Sequence, residues 1–142
     1  MAKLPTEVVR LLDQVIVRSP YGNLLGLELL EAAPDLARVR MPFRPEVTTV
    51  GDTVHGGAIS ALVDVAATAA FWANAVIVPE SRGTTIGFSV SFLAAGRGKD
   101  LVATASVRRR GRDVSTGEVT VHDTDEMEIA VALVTYKLSA PG

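Results

Sequence analysis

The spacing of apolar and polar positions predicts an α+β chain. Over about residues 6–18, apolar side chains recur with helical spacing at Val8, Leu11, Leu12, Val15 and Ile16. Ser19-Pro20 and Gly22 punctuate this helix, and two strand-like runs follow, Gly26–Glu31 and Leu36–Phe43. A Pro34-Asp35 turn signal separates the two runs, so we expect a hairpin. In the second run one face is apolar, formed by Ala37, Val39, Met41 and Phe43.

The segment from His55 to Val78 is apolar on nearly every side, which predicts a helix surrounded by protein. From Ala58 onward its strongly polar residues are Asp64 and Asn74, so its length alone would permit a membrane span. Asp64 would then lie well inside the bilayer at a cost of about 2.5–3.5 kcal/mol, and much of the segment is weakly hydrophobic alanine. A helix buried in a soluble protein fits better.

Beyond this helix the apolar period switches to two, which indicates strands. Ile86, Phe88, Val90 and Phe92 are predicted to face one way, and Thr85, Gly87, Ser89 and Ser91 the other. Three further strand-like runs follow, Leu101–Arg109, Val114–His122 and Ile129–Leu138, and we expect all four strands to form an antiparallel meander. Because a single apolar helix needs an apolar cover, the pattern favours a curved antiparallel sheet wrapped around it.

Composition narrows the possible functions. The 142 residues correspond to one domain, residues 1–142, and the absence of cysteine excludes disulfides and thiolate chemistry. A net charge of −2 provides no general attraction to nucleic acid or to anionic membrane. The N-terminal residues lack the apolar core of a signal peptide, which predicts a cytoplasmic protein. No metal-ligand cluster or nucleotide-binding loop occurs, so we expect no metal and no bound cofactor.

Asp64 is the first candidate for chemistry. It is the sole ionisable residue between His55 and Glu80, and apolar residues flank it on both sides. A buried carboxylate without a partner would destabilise the fold by several kcal/mol, so such a residue has either a structural hydrogen bond or a functional role. Both interpretations remain open on these physical grounds.

The start of the same helix, His55-Gly56-Gly57, is the second candidate. Free amides at a helix N-terminus can polarise a carbonyl as negative charge builds on its oxygen, although two glycines can also simply permit a tight turn. Gly56 and Asp64 are eight residues apart, or about 12 Å along a helix axis, so one carbonyl cannot touch both. If both act on one substrate, Gly56 of one chain must meet Asp64 of another, and catalysis then requires a dimer.

The segment HGGAISALVDVAATAAF resembles the signature of hotdog-fold thioesterases of the phenylacetic-acid-degradation (PaaI) type, in the 4-hydroxybenzoyl-CoA thioesterase superfamily. His-Gly-Gly followed by Leu-x-Asp, a strand like TTIGFSVSFL, a Gly-Arg turn and a final Thr-Tyr strand cover most of the chain. The resemblance implies a hotdog fold and hydrolysis of acyl-CoA, with coenzyme A present as part of the substrate. It also implies a homo-oligomer, with a dimer as the minimum active unit and a tetramer expected.

Residue by residue, the resemblance implies that Gly56 presents its amide to the thioester carbonyl. Asp64 then acts as the nucleophile or as the base for water, and Thr85 helps to hold that water or the carboxylate. His55 is typically a structural residue of the turn in this family. We keep it, together with Gly57, as a candidate substrate contact.

One position departs from the family pattern. Many relatives carry an asparagine about six residues before the motif histidine, where this chain has Thr49. The departure motivates an alternative function, a non-catalytic acyl-CoA-binding or regulatory hotdog protein. A hotdog dehydratase or hydratase is a third candidate, but His-Gly-Gly does not match the histidine motif of those enzymes.

The run Arg108-Arg109-Arg110-Gly111-Arg112 is the one basic concentration in the chain. Such runs are usually solvated surface. Strand alternation predicts Arg108 and Arg110 on one side and Arg109 on the other. Because guanidinium groups suit phosphates, we predict that Arg108, Arg110 and Arg112 contact the phosphates of coenzyme A.

Overall fold

The computed structural model describes residues 3–74, 77 and 80–139. Helix α1 spans Thr6–Leu11 and continues as a π-helical turn over Leu12–Val17, which agrees with the helix predicted over about residues 6–18. A second helix, α2, spans Pro20–Leu25. Apolar periodicity does not predict α2 because it has six residues, yet its N-terminus carries a local signal. Ser19 accepts a hydrogen bond from the Gly22 N–H (3.1 Å), with proline at the first helical position.

Helix α3, Gly56–Trp72, forms the centre of the core, and most of its side chains are buried. Two features differ from the prediction. The helix ends at Trp72 rather than near Val78, and residues 75, 76, 78 and 79 lie outside the described residues. One stripe of α3 is also only half-buried, and it carries Ser60, Ala61, Asp64, Val65, Thr68 and Trp72. Within the described ranges, no helix is long and apolar enough to cross a membrane.

Six antiparallel strands form one sheet in the order β1-β2-β4-β5-β6-β3. The strands are β1 Glu28–Ala33, β2 Leu36–Met41, β3 Arg82–Phe92, β4 Leu101–Arg109, β5 Val114–Asp123 and β6 Glu128–Ser139. The predicted hairpin is confirmed as β1 and β2, and the inner face of β2 is buried at Ala37, Val39 and Met41. A short 3-10 turn, Pro45–Val47, precedes α3. The sheet packs around α3, which confirms the predicted α+β architecture.

The predicted four-strand meander is wrong for β3. Strands β4, β5 and β6 are consecutive neighbours, but β4 pairs with β2, and β3 pairs with β6 at the free edge of the sheet. The C-terminal end of α3 lies beside the start of β3. A Cβ on Gly83 of β3 would lie 2.9 Å from the indole nitrogen of Trp72, the last residue of α3. Strand β3 therefore returns along α3 from its C-terminal end toward its N-terminal end.

A β-bulge in β3 changes which residues face the helix. Thr85 pairs with Tyr136 and Gly87 pairs with Thr135, so Ile86 is an extra residue without a pairing partner. A bulge reverses the alternation of side chains beyond it. The prediction that Thr85 faces away from the apolar set is therefore wrong, since it lies on the helix side of β3 together with Phe88, Val90 and Phe92.

Candidate active site

The first turn of α3 leaves one backbone amide free. The N–H groups of Ala58 and Ile59 donate to the His55 carbonyl oxygen (3.0 and 3.1 Å), and the Gly57 N–H donates to His55 Nδ1 (2.7 Å). Among the described residues, the Gly56 N–H has no acceptor. His55 is thus the N-cap of the helix, and Gly56 is the donor that remains available at the positive end of the helix dipole.

A cavity of about 360 Å³ adjoins Gly56. Thr49, Ile59 and Phe92 are among its lining residues, and a Cβ on Gly56 would lie 3.4 Å from the Phe92 ring. Thr49 thus lies beside the free amide, where the family pattern carries asparagine. Its own N–H donates to the Thr53 carbonyl oxygen (2.8 Å).

Asp64 and Thr85 meet on the half-buried stripe of α3. The Thr85 hydroxyl donates to Asp64 Oδ1 at 2.7 Å, which the bulge at Ile86 makes possible. Both residues are partly buried in the single chain, and Asp64 has the hydrogen-bond partner that the structural interpretation requires. Its role in the reaction stays a prediction. In the part of the chain that the structure describes, Thr85 is the hydrogen-bond partner of Asp64, and the second carboxylate oxygen is left without a protein donor.

Both candidate groups lie along the same free edge of the sheet. The Phe92 ring lies over Gly56 near one end of β3, and Thr85 contacts Asp64 toward the other end. Within one continuous helix, however, Gly56 and Asp64 remain eight residues apart, which is about 12 Å along the axis. The structure therefore brings Thr85 to Asp64, but it does not bring Gly56 to Asp64 within one chain.

Arg110 closes the C-terminal end of α3. Its guanidinium donates to Asp35 Oδ1 at 2.7 and 3.2 Å and to the Phe71 carbonyl oxygen at 3.0 Å. A cation at this position satisfies one of the last carbonyls of the helix and complements its negative end. Much of the donor capacity of Arg110 is therefore used within the protein.

The predicted alternation of the arginine run is wrong. The register of β4 shifts between Val107 and Arg109, because Arg108 forms part of a bulge. Arg108 Nε lies 3.8 Å from Glu118 Oε2, and the Glu118 side chain is on the outer face of the sheet. Arg110 instead contacts the C-terminal end of α3. Arg112 is exposed. The structure thus separates the three predicted phosphate contacts, and their role stays a prediction.

A second contact at this end of α3 involves residues that sequence reasoning left unassigned. Trp72 Nε1 donates to the Tyr136 hydroxyl oxygen (2.7 Å), and the Tyr136 ring stacks on Phe71 with centroids 5.0 Å apart. Burial raises the pKa of Tyr136, the Trp72 hydrogen bond opposes this shift, and the Asp64 charge adds to it. The aromatic pair Phe71 and Trp72 therefore packs the core at the end of the helix.

The remaining candidates for chemistry are few. Over the described ranges, no three histidine, aspartate or glutamate side chains cluster closely enough to hold a metal ion. The chemistry available to the site consists of a free backbone amide, a carboxylate and a hydroxyl.

The fold and this set of groups define a hotdog protein with a free N-terminal amide and a carboxylate on its central helix. Residues 51–130 match the thioesterase superfamily, and the chain belongs to this family. It is 30% identical to the medium/long-chain acyl-CoA thioesterase YigI of Salmonella typhimurium, over 92% of this chain and 93% of the relative. A putative esterase of Deinococcus radiodurans is 34% identical, over 77% of this chain and 71% of the relative.

Solved structures agree on the fold. A thioesterase family protein from Silicibacter pomeroyi has a TM-score of 0.85 at 23% identity and covers 94% of this chain and 99% of its own. The PaaI protein of the E. coli phenylacetic acid degradation operon has a TM-score of 0.83 at 19% identity, covering 99% and 98%. The predicted hotdog fold and the resemblance to this family are confirmed.

Proposed function

We propose that this chain hydrolyses acyl-CoA thioesters to the free acid and coenzyme A, with the Gly56 amide and the Asp64 carboxylate at one site. The observation that carries the proposal is the free Gly56 N–H on the same helix as a half-buried Asp64 held by Thr85. The relative from Salmonella typhimurium is named a medium/long-chain acyl-CoA thioesterase, which supports this substrate class.

The chemistry follows from the two groups. The thioester oxygen accepts a hydrogen bond from the Gly56 N–H, and the helix dipole stabilises the negative charge that develops on this oxygen. Asp64 either attacks the carbonyl carbon, which expels the coenzyme A thiolate and forms an anhydride that water hydrolyses, or takes a proton from the attacking water. Thr85 donates to Oδ1 and leaves Oδ2 for either step.

The active unit in this proposal is a dimer formed through the free edge of β3. This edge has no partner strand in the described sheet. Along β3, Thr85 contacts Asp64 and the Phe92 ring lies over Gly56. An antiparallel pair of β3 strands centred near Phe88 would place Thr85 of one chain opposite the Phe92 region of the other. Asp64 would then lie close to the partner's Gly56, so both groups could act on one carbonyl although they are about 12 Å apart within one chain. A tetramer stays a prediction.

The nucleotide end of the substrate is assigned to the arginine run. Arg108, Arg109 and Arg112 are exposed, and of these the guanidinium groups of Arg108 and Arg112 are proposed to contact the phosphates of coenzyme A. Arg110 keeps a structural role at the end of α3, and any contact with phosphate is through its remaining N–H groups. The reaction needs no cofactor beyond the coenzyme A of the substrate.

The first test is turnover of Asp64→Asn with a panel of short, long, branched and aromatic acyl-CoAs. Released thiol is a clean signal because the chain has no cysteine. Loss of the carboxylate is expected to lower kcat about 10²- to 10⁴-fold while circular dichroism stays unchanged. Asp13→Asn makes the same change on a partly exposed side chain of the N-terminal helical segment and is the matched control.

If Asp64→Asn turns over acyl-CoA within a few-fold of the parent protein, Asp64 is not the catalytic carboxylate. Binding of acyl-CoA without any turnover by the parent protein would favour the alternative, a non-catalytic acyl-CoA-binding or regulatory protein. Thr49 in the cavity beside Gly56 is the structural observation that motivates this alternative.

The second test is complementation between subunits. A chain with Asp64→Asn is mixed with a chain with Gly56→Leu, each inactive alone. With free exchange half of the dimers are hybrids, and each hybrid has one intact site of two, so about a quarter of parental activity should return. Subunit exchange without recovered turnover, with exchange shown by tagged pull-down, would contradict the composite site.

A further inference from the structure

A groove of about 560 Å³ lies beside the first turn of α3, on the side of His55 and Gly57. Its buried floor is apolar and consists of Leu25, Val47 and Ala58. Its walls include Tyr21 and Leu24 of α2, with 55% and 67% of their surfaces exposed. We call this the α2 groove. Its volume is within the range of about 300–1,000 Å³ that is usual for ligand sites.

The exposed wall of the α2 groove stands on a fixed backbone. The Arg44 guanidinium donates to the Leu24 carbonyl oxygen, and Gly26 ends α2 in a left-handed conformation with φ of 72°. The backbone of α2 is thus held at its C-terminal end, while the side chain of Leu24 remains in solvent. Two large apolar side chains exposed beside an apolar floor indicate a surface that binds a hydrocarbon group.

We propose that the α2 groove binds the hydrocarbon chain of the acyl-CoA substrate, and that Tyr21 and Leu24 determine the preferred chain length. The inference rests on the proposed function, because the groove adjoins the turn whose Gly56 N–H donates to the thioester oxygen in that proposal. His55 and Gly57 line the groove and are the immediate neighbours of Gly56 in this turn. The groove therefore begins one residue from Gly56 on either side along the chain, and in this proposal the acyl chain runs from the carbonyl into it.

The charges around the groove favour this occupant over the nucleotide end of coenzyme A. Arg44 lines the groove and keeps its positive charge, although one of its N–H groups is used by the Leu24 carbonyl oxygen. Glu46 also lines the groove and is exposed, so its negative charge offsets that of Arg44 and the pair gives phosphate no net attraction. An uncharged hydrocarbon chain needs no net charge, and each methylene that it buries favours binding.

The test compares kcat/KM for dodecanoyl-CoA with that for acetyl-CoA. The parent protein is expected to prefer dodecanoyl-CoA, and Leu24→Gln is expected to lower the dodecanoyl-to-acetyl ratio by at least about 10-fold, since a polar amide replaces apolar groove surface. Leu30→Gln is the matched control, because Leu30 is an exposed leucine of β1 outside the groove, and its ratio should stay at the parental value. Both variants change exposed positions, so folding should be retained.

Affinity for alkyl-CoA thioethers provides a measurement that needs no turnover. By calorimetry, Leu24→Gln should weaken binding of S-dodecyl-CoA by a similar factor while S-ethyl-CoA binds as it does to the parent. If Leu24→Gln leaves the long-to-short chain ratio unchanged in both assays, the inference is overturned. An equal loss of kcat/KM and of affinity for both chain lengths would also overturn it and would assign the groove to the pantetheine arm. Absence of turnover by the parent protein, with S-dodecyl-CoA still bound through Leu24, would overturn the proposed function and leave the groove assignment intact.

Discussion

The two ends of α3 differ in how their backbone groups are used. At the N-terminal end, His55 caps Gly57 and the Gly56 N–H is left free within the described structure. At the C-terminal end, Arg110 binds the Phe71 carbonyl oxygen and the Asp35 N–H donates to the Ala73 carbonyl oxygen (2.9 Å). One end is therefore open to a ligand, and the other is tied to the rest of the protein.

The polarity of a helix explains which end is open. The N-terminal end carries unpaired donors and the C-terminal end carries unpaired acceptors. A thioester carbonyl needs a donor where its negative charge develops, so only the N-terminal end can stabilise it. The C-terminal end can instead be closed by cations and N–H groups of the same chain, which keeps the helix in place under the sheet.

Of the two ends, the open end should show the larger effect on the reaction. Gly56→Leu places a side chain against the Phe92 ring and into the path of the carbonyl, and kcat/KM should fall about 10²- to 10³-fold, as when an oxyanion-hole donor is removed. The unfolding midpoint in urea should change little, because the Phe92 side chain is half-exposed and can move. Parental kcat/KM in a folded variant would argue against Gly56 as the carbonyl donor.

The closed end should behave in the opposite way. Arg110→Ala removes a charged hydrogen bond to Asp35 and one to the end of α3, and the free energy of unfolding should fall by about 1.5–3 kcal/mol. At 25 °C the kcat of the folded protein should stay within about two-fold of the parental value. Denaturant titration and initial rates measure the two quantities. A large loss of kcat without a loss of stability would assign Arg110 to the reaction.

Thr85→Val tests the middle of the helix. It removes the hydrogen bond to Asp64 at nearly constant volume, and kcat should fall about 10-fold, the equivalent of about 1.4 kcal/mol, with KM nearly unchanged. Thr84→Val is the control, because Thr84 is its exposed neighbour on β3. Equal effects of both substitutions would indicate a general disturbance of β3 rather than a role for the Thr85 hydroxyl.

The two exposed arginines that are proposed to contact phosphate should have a smaller effect, confined to the nucleotide end of the substrate. Replacing Arg108 and Arg112 by glutamine should raise KM for acyl-CoA several-fold, about 1 kcal/mol, and leave KM for an acyl-pantetheine thioester at the parental value. Adding Arg110→Gln to the pair should mainly lower stability. If KM rises equally for both substrates, the arginine run does not contact the phosphates.

The smallest effect is a pH dependence at the closed end. Burial raises the pKa of Tyr136 above 10.0, so the folded state favours the neutral phenol. The contribution of Tyr136 to the free energy of unfolding is therefore fully present below pH 10 and is lost as the pH rises through the pKa of the folded state. The stability difference between the parent and Tyr136→Phe, measured by urea unfolding, should therefore shrink between pH 9 and pH 11. A constant difference would mean that Tyr136 does not titrate differently in the two states.

Local spacing was sufficient to predict several elements and one distance. Helical periodicity predicted the N-terminal helix and the core helix, and alternation predicted the hairpin and the four later strands, because the side-chain periods of helices and strands follow from backbone geometry alone. The same geometry placed Gly56 and Asp64 about 12 Å apart, since the rise per residue of a helix is constant. These results need no knowledge of how distant segments pack.

Tertiary structure decided everything that depends on pairing between distant segments. The position of β3 beside β6 and the bulge at Ile86 come from packing the sheet around α3, and together they bring Thr85 to Asp64. The hydrogen bonds from Arg110 to Asp35 and to the Phe71 carbonyl oxygen likewise join residues far apart in the chain. Sequence alone identified the candidate residues on the helix, and tertiary packing decided which of their groups are free to bind a ligand, because a donor used within the fold is not available to a ligand.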